Sequence, residues 1–341
     1  MAEDGGVRFH RKPFMSDEPK ALRGWHYLPA LPLRAAPLFR WPFKPVEALK
    51  WLIDGWLPIS EKLVLVAIAF ATLAWAQPPL EVTATLSPDW IIGIWLRNMV
   101  LMIAVAGGLH LYFYRWRKQG DELKFDARPL KTRGSQFKFG DQVKDNIFWT
   151  LASGVSIWTG YEVLMFWAMS NGWLPMLKWA ENPILFVALF LLLPLWESFY
   201  FYWIHRLLHW PPLYKRIHIL HHRNVNIGPW SGMSMHPLEH LLYFGTVLIH
   251  WVVPAHPVHI INHLQYSALT AATSHTGFDA LQVKGRPRLH LGNFHHQMHH
   301  RYFECNYGSP AVPLDNIFGS FHDGTVEANE RMAERRERMM V

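Results

Sequence analysis

The sequence predicts an all-α integral membrane protein of about four transmembrane helices, a re-entrant or short helical pair, and a cytosolic helical histidine-rich domain. Three observations carry this: four apolar stretches of crossing length, basic residues gathered in loops on one side, and 17 of the 21 histidines lying between His205 and His300. A helix needs about 20 apolar residues to cross the hydrocarbon core. Whole-chain composition hides that signal, because the 50% apolar and 17% charged residues of this 341-residue chain average over spans and polar segments.

Residues 1–58 form a basic, Pro/Trp-rich arm (RGWHYLPALPLRAAPLFRWPFKP) expected to lie on the membrane surface with Trp at headgroup level. The first 20 residues hold no apolar core of a cleavable signal, so the N-terminus is expected in the cytoplasm. The region 59–203 supplies the four spans: about Ile59 to Ala76, Trp90 to Tyr114, Ile147 to Met169 and Pro183 to Trp203. Arg97 and Asn98 sit near the start of the second, Glu162 inside the third and Glu197 near the end of the fourth. An acid inside a span faces a cavity or a partner. Between the second and third spans lie Arg115, Arg117, Lys118, Lys124, Arg128, Lys131, Arg133, Lys138 and Lys144, whereas the loop 77–89 has no basic residue and the loop 170–182 only Lys178. The positive-inside rule then places both ends of the four-span unit, and everything after Trp203, on the cytoplasmic side.

The region 204–324 is read as the histidine-rich domain, with a membrane-embedded helical hairpin near 241–273 whose arms, Leu241 to Val253 and Ile260 to Thr273, are each short for a full crossing. Residues 325–341 mix charges at helical spacing and read as a solvated helix. The net charge of +7 comes from residues flanking apolar segments, a pattern that suits anionic lipid and not nucleic acid. The single cysteine, Cys305, excludes a disulfide framework and a thiolate-held iron–sulfur cluster.

Within the domain the spacing of the histidines is more informative than their number. His205 and His209 (HRLLH) are four apart, His218, His221 and His222 (HILHH) are related by three and four, and His296, His299 and His300 (HQMHH) repeat that pattern. On a helix these offsets put each group on one face. An isolated buried histidine is most often a hydrogen-bonded core residue, but three such groups packed without a cation would leave ring nitrogens competing for few partners. Eight clustered imidazoles exceed the six positions of one octahedral ion, so if most are ligands there are at least two metals. Neutral imidazole suits zinc, copper, nickel or iron, and spacing does not choose among them. His10, His26, His110, His290 and His322 show no clustering, and His250, His256, His259 and His263 suit a structural or interfacial role in the hairpin.

The ordered run HRLLHWPPLYKRIHILHH, MHPLEH, SHTGFD, NFHHQMHHRYFECNYGS and LDNIFGSFHDG, from about Trp196 to Gly324, resembles the fatty acid hydroxylase/sterol desaturase superfamily. The resemblance implies a membrane di-iron oxygenase that uses molecular oxygen and electrons from a separate ferredoxin or cytochrome b5-like donor to hydroxylate or desaturate a lipid: a sterol, fatty acyl chain, sphingolipid or other membrane lipid. It implies two iron ions, with zinc an alternative in purified protein, held by His205, His209, His218, His221, His222, His296, His299 and His300, and adds His236 and His275. His240 and His295 are further candidates, and Glu239, Glu197 and Asp279 are acids placed to accept hydrogen bonds from ligand imidazoles. Asp315 and Asn306 match family positions that close the domain. No nucleotide fingerprint, haem-binding HPGG or cluster motif is present, so no haem, flavin or iron–sulfur group is expected in this chain. An alkane or carotenoid type of membrane oxygenase is one alternative, and a histidine-rich metal transporter another; the latter predicts ligands within the spans. The ending MMV carries no retrieval signal, which favours a bacterial inner membrane, with the endoplasmic reticulum expected for a eukaryotic chain.

Overall fold

The computed structural model describes residues 25–56 and 60–340, so the arm up to residue 24, residues 57–59 and Val341 lie outside the described residues. The described residues are mostly helical, 61%, with few strands. A short helix, α1 (Pro45–Trp56), exposes Val46, Leu49 and Ile53 at helical spacing. The next, α2 (Glu61–Trp75), starts on Ser60, whose Oγ accepts from Leu63 N at 3.3 Å, and buries Leu65, Ala69 and Thr72. Helix α3 (Pro88–Arg115) turns Trp90, Ile94, Asn98 and Met102 inward and a row of Ile92, Leu96, Val100 and Ile103 outward. Helix α4 (142–170) is capped by Asp141 and passes through a wider turn at Thr150–Gly154. Helix α5 (Pro183–Leu208) is capped by Asn182, which accepts from Leu185 N at 3.0 Å, and runs on through Pro194.

Among the described residues, two helices, α3 and α5, are long and apolar enough to cross a membrane. Of the other two expected spans, α2 has 15 residues, about five short of a full crossing. The third, α4, is long but buries Thr159 and Glu162 along with its apolar face. Helices α3 and α4 are tied by a buried polar knot. Arg97 pairs with Glu162, Asn98 Nδ2 donates to Glu162 Oε2 at 3.0 Å, and Arg97 also reaches Gln77 Oε1 at 2.9 Å. A charge in such a place is tolerated only when paired in this way.

The other helices of eight residues or more among the described residues are α6 (211–222), α7 (Pro237–Phe244), α8 (Pro257–Ser274), α9 (Phe294–Tyr302) and α10 (Val326–Met340). Nearly every side chain of α8 is buried, because α2, α4 and α5 enclose it, with Gln265 Nε2 donating to Thr72 Oγ1 of α2 at 2.8 Å. The hairpin expected over 241–273 therefore has its second arm in the protein core, and its first arm ends early, at Phe244, before one 3₁₀ stretch, Gly245–Trp251. The all-α expectation also needs a correction. Strands β1 (Ala280–Val283) and β2 (Arg286–His290) form an antiparallel hairpin. Its two-residue turn places Lys284 at φ 53° and Gly285 at φ 71°, the conformation that lets two strands reverse without splaying.

Candidate metal centre

Three elements bring the histidine groups together. The last turn of α5 carries His205, and His209 follows directly at its C-cap; α6 carries His218, His221 and His222; α9 carries His296, His299 and His300. His275 is the C-cap residue of α8. Its position depends on Gly232, where a Cβ would lie 1.9 Å from Ala271 O and 3.0 Å from His275 Nδ1, so only glycine lets this loop pass over the end of α8.

Nine rings sort into two groups: His205, His209, His218, His222 and His299, and then His221, His275, His296 and His300, the ligand atoms of each lying within 4.8 Å of one another. In the first, Nε2 of His209 is 3.1 Å from Nε2 of His222 and of His299, those two are 3.0 Å apart, and Nε2 of His205 is 3.0 Å from that of His218. In the second, Nε2 of His275, His296 and His300 form a triangle with sides of 3.2 Å. Imidazole nitrogens about 2.1 Å from one ion stand roughly 3.0–3.4 Å apart, in octahedral or tetrahedral geometry. Both groups have that spacing.

The opposite ring nitrogens show why these atoms suit a cation. His205 Nδ1 donates to Tyr307 O at 2.6 Å, His299 Nδ1 to Cys305 O at 2.6 Å, His275 Nδ1 to Ala271 O at 2.8 Å and His221 Nδ1 to Ser234 O at 3.4 Å. His218 Nδ1 meets Glu239 Oε1 at 2.7 Å. With the proton on Nδ1, each Nε2 presents a lone pair, and several lone pairs converge on one point. Facing lone pairs repel unless a positive ion sits between them, and the bonds on the far side hold each ring at the angle a ligand requires. Burial and the neighbouring rings also hold His209, His218, His222, His296, His299 and His300 well below the usual imidazole range, and burial lowers His221 to about 4. The rings stay neutral, the form that binds metal. The residues fit two imidazole-held ions.

The other expected residues are placed differently. His236 caps α7, its Nδ1 accepting from Leu238 N at 3.2 Å, and joins neither group. His240 has both ring nitrogens engaged, with Ser153 Oγ at 3.0 Å and Met233 O at 3.1 Å, and so has no lone pair to give a metal. His295 points away from the groups toward Asp315, 3.9 Å distant. Asp279 faces Tyr27 and His290, not a clustered histidine. Glu239 touches a clustered ring directly, and Glu197 lines the adjoining cavity beside His263. Asp315 acts one step back: it accepts from Tyr307 N at 2.9 Å and Gly308 N at 2.7 Å, fixing the loop whose carbonyl holds His205. The carbonyls of Tyr307, Cys305 and Ser234 were not foreseen, since a backbone acceptor has no residue-type signal. His256 and His259 cap α8 or meet backbone, as expected for structural residues.

A cavity of about 350 Å³ opens against both groups, touching His205 and His218 of one and His221, His275 and His296 of the other. Its walls are chiefly apolar, with Leu191, Pro194, Leu195 and Phe201 from α5 and Trp51 and Leu52 from α1.

Residues 190–320 match the fatty acid hydroxylase family model. The chain is 25% identical over 248 residues to a Delta(7)-sterol-C5(6)-desaturase of Nicotiana tabacum, covering 70% of this chain and 86% of that protein. It is 35% identical over 125 residues to a Delta(7)-sterol 5(6)-desaturase of Gibberella zeae, 35% of this chain and 37% of that one. To a methylsterol monooxygenase of Aspergillus fumigatus it is 33% identical over 150 residues, 42% of this chain and 49% of the other. No solved structure matches the chain. The matched region contains all nine clustered histidines, and with these relatives it supports the likeness to the fatty acid hydroxylase/sterol desaturase superfamily.

Proposed function

We propose that this chain is a membrane oxidoreductase that hydroxylates or desaturates a lipid, with two iron ions held by the nine clustered histidines at the cytoplasmic end of a four-span bundle. The observation that carries the reading is the convergence of two neutral imidazole groups on one apolar cavity. When bound, the two ions supply activation of molecular oxygen for attack on an unactivated C–H bond. The chain's own part is positioning and exclusion. Tyr307, Cys305, Ala271 and Glu239 hold the ligand rings; the Leu, Pro and Phe walls seat an apolar skeleton against them and keep water out. Holding the target carbon within reach is the chain's main task, and Glu239 acts from behind the site, on Nδ1 of His218.

The remainder follows the sequence map, with 60–203 as the spanning region, 204–324 as the catalytic domain and 325–340 as a solvated helix, while the described part of the arm packs Trp25, Tyr27 and Leu31 against Phe125 and Phe294. The ligand set is proposed without His236 and His240, whose nitrogens are used by α7 and by Ser153 and Met233. A ferredoxin or cytochrome b5-like carrier brings the electrons, and anionic lipids meet the basic loop 115–144. The sterol-acting relatives favour a sterol or another ring-bearing lipid among the candidates. Lipid mass spectrometry of cells with and without the gene tests this. A class that gains one oxygen or loses two hydrogens only when the gene is present supports the proposal, and identical lipidomes under aerobic growth count against it.

A further inference from the structure

Away from both histidine groups, α5, α8 and the 3₁₀ stretch Gly245–Trp251 bury three ionisable side chains in a hydrogen-bonded string. His250 Nδ1 donates to Val253 O at 3.3 Å, which leaves its Nε2 to accept from His263 Nδ1 at 3.1 Å. His263 Nε2 then lies 3.2 Å from Thr246 Oγ1 and 3.4 Å from Glu197 Oε2. The string ends on Glu197, 7% exposed, whose carboxyl lines the cavity and makes no other hydrogen bond among the described residues. Burying a carboxyl at membrane depth is costly, and such a group is retained where it meets a partner. A proton held between His263 Nε2 and Glu197 Oε2 makes that contact a hydrogen bond and occupies one oxygen; the other is left to the cavity.

We infer that Glu197, braced by His263 and His250, anchors a hydroxyl or amino group of the lipid at the end of the cavity remote from the histidine groups. Glu197, Phe201 and His205 follow at i, i+4 and i+8 along one face of α5, and all three line the cavity. Eight residues of helix rise about 12 Å, so the oxidised carbon stands on the order of 10 Å, or roughly eight extended C–C bonds, from the anchored donor. Phe201 lies between the two ends and packs against the skeleton. The inference rests on the function proposed above and narrows it: the substrate is a lipid with a free hydrogen-bond donor, oxidised at a carbon remote from that donor.

The test measures binding to the full-length, iron-loaded protein in nanodiscs, wild type against Glu197→Gln and Glu197→Ala. The probes are two pairs: hexadecan-1-ol with its methyl ether, and cholesterol with its methyl ether. Wild type is expected to bind at least one alcohol about two- to tenfold more tightly than the matching ether, the range for one net hydrogen bond. Both variants should lose that preference while keeping wild-type iron content, and oxidation of the preferred alcohol should map to carbons remote from the hydroxyl. Equal binding of alcohol and ether in wild type, failure of both pairs to bind, or a preference that survives in both variants overturns the anchor. Iron content and lipid oxidation are read separately: selective binding without iron or product overturns the oxygenase reading and leaves the anchor standing.

Discussion

His218 and Glu239 meet at 2.7 Å, Nδ1 to Oε1, while the other nitrogen of the same ring stands 3.0 Å from Nε2 of His205. One imidazole thus links a buried carboxyl to the centre of the first group. Burial pushes the Glu239 carboxyl well above the usual carboxylate range and the His218 ring well below that of imidazole. A cation on Nε2 supplies the positive charge that the carboxylate lacks and pulls the pair back toward ionised Glu239. Glu239→Gln removes that charge with little change of shape. Metal affinity, read by competition with a chelator, should fall about 10- to 100-fold; an unchanged affinity would reduce Glu239 to a packing role.

The partition into two groups gives a sharper expectation than loss of metal alone. His299 belongs to the first and His221 to the second. Each of His299→Ala and His221→Ala should therefore cost about one of two bound ions and all lipid oxidation, since each opens one coordination sphere. Elemental analysis per chain reads this directly. Complete loss of metal in both variants would mean that the nine rings form one inseparable site.

His240 and His236 provide the contrast. His240→Gln breaks contacts with Ser153 and Met233 and should lower stability by about 1–3 kcal/mol. His236→Ala removes a helix cap and should cost about 1 kcal/mol. Neither should change the metal stoichiometry. An ion missing from His236→Ala would restore that residue to the ligand set.

Acid sensitivity follows from His221, whose pKa falls from an ordinary 6.5 to about 4 on burial. Between those values the unfolded chain binds more protons than the folded one, so stability rises with pH across the window and is lost as pH falls from 6.5 through about 4. The other depressed rings act with the same sign. The melting temperature of the metal-free protein, taken from pH 7 to pH 4, should fall throughout; a flat profile would contradict neutral, buried rings.

Much of this was legible in sequence because it depends on spacing. Offsets of three and four fixed which histidines share a helix face, and the structure gathers all eight box histidines, with His275, into the two groups. The turn Lys284–Gly285 is a two-residue reversal between two short strands, a weaker local signal than the helical spacings around it. His236 and His240 were harder. Four residues apart on paper, they resemble the first box, and only their surroundings show that one caps α7 and the other bridges Ser153 and Met233.

Local periodicity by itself therefore determined the helical class, the apolar stretches and the histidine faces, since each arises from residues within one or two turns of each other. Which box contributes to which group could not be settled that way. The first group draws on α5, α6 and α9, and the second on α6, α8 and α9, so membership depends on how helices far apart in sequence cross. The same holds for the carbonyls of Tyr307 and Cys305, for the pass of Gly232 over Ala271, and for the cavity between Glu197 and the rings. These are distances across the fold, and packing, not spacing, sets them.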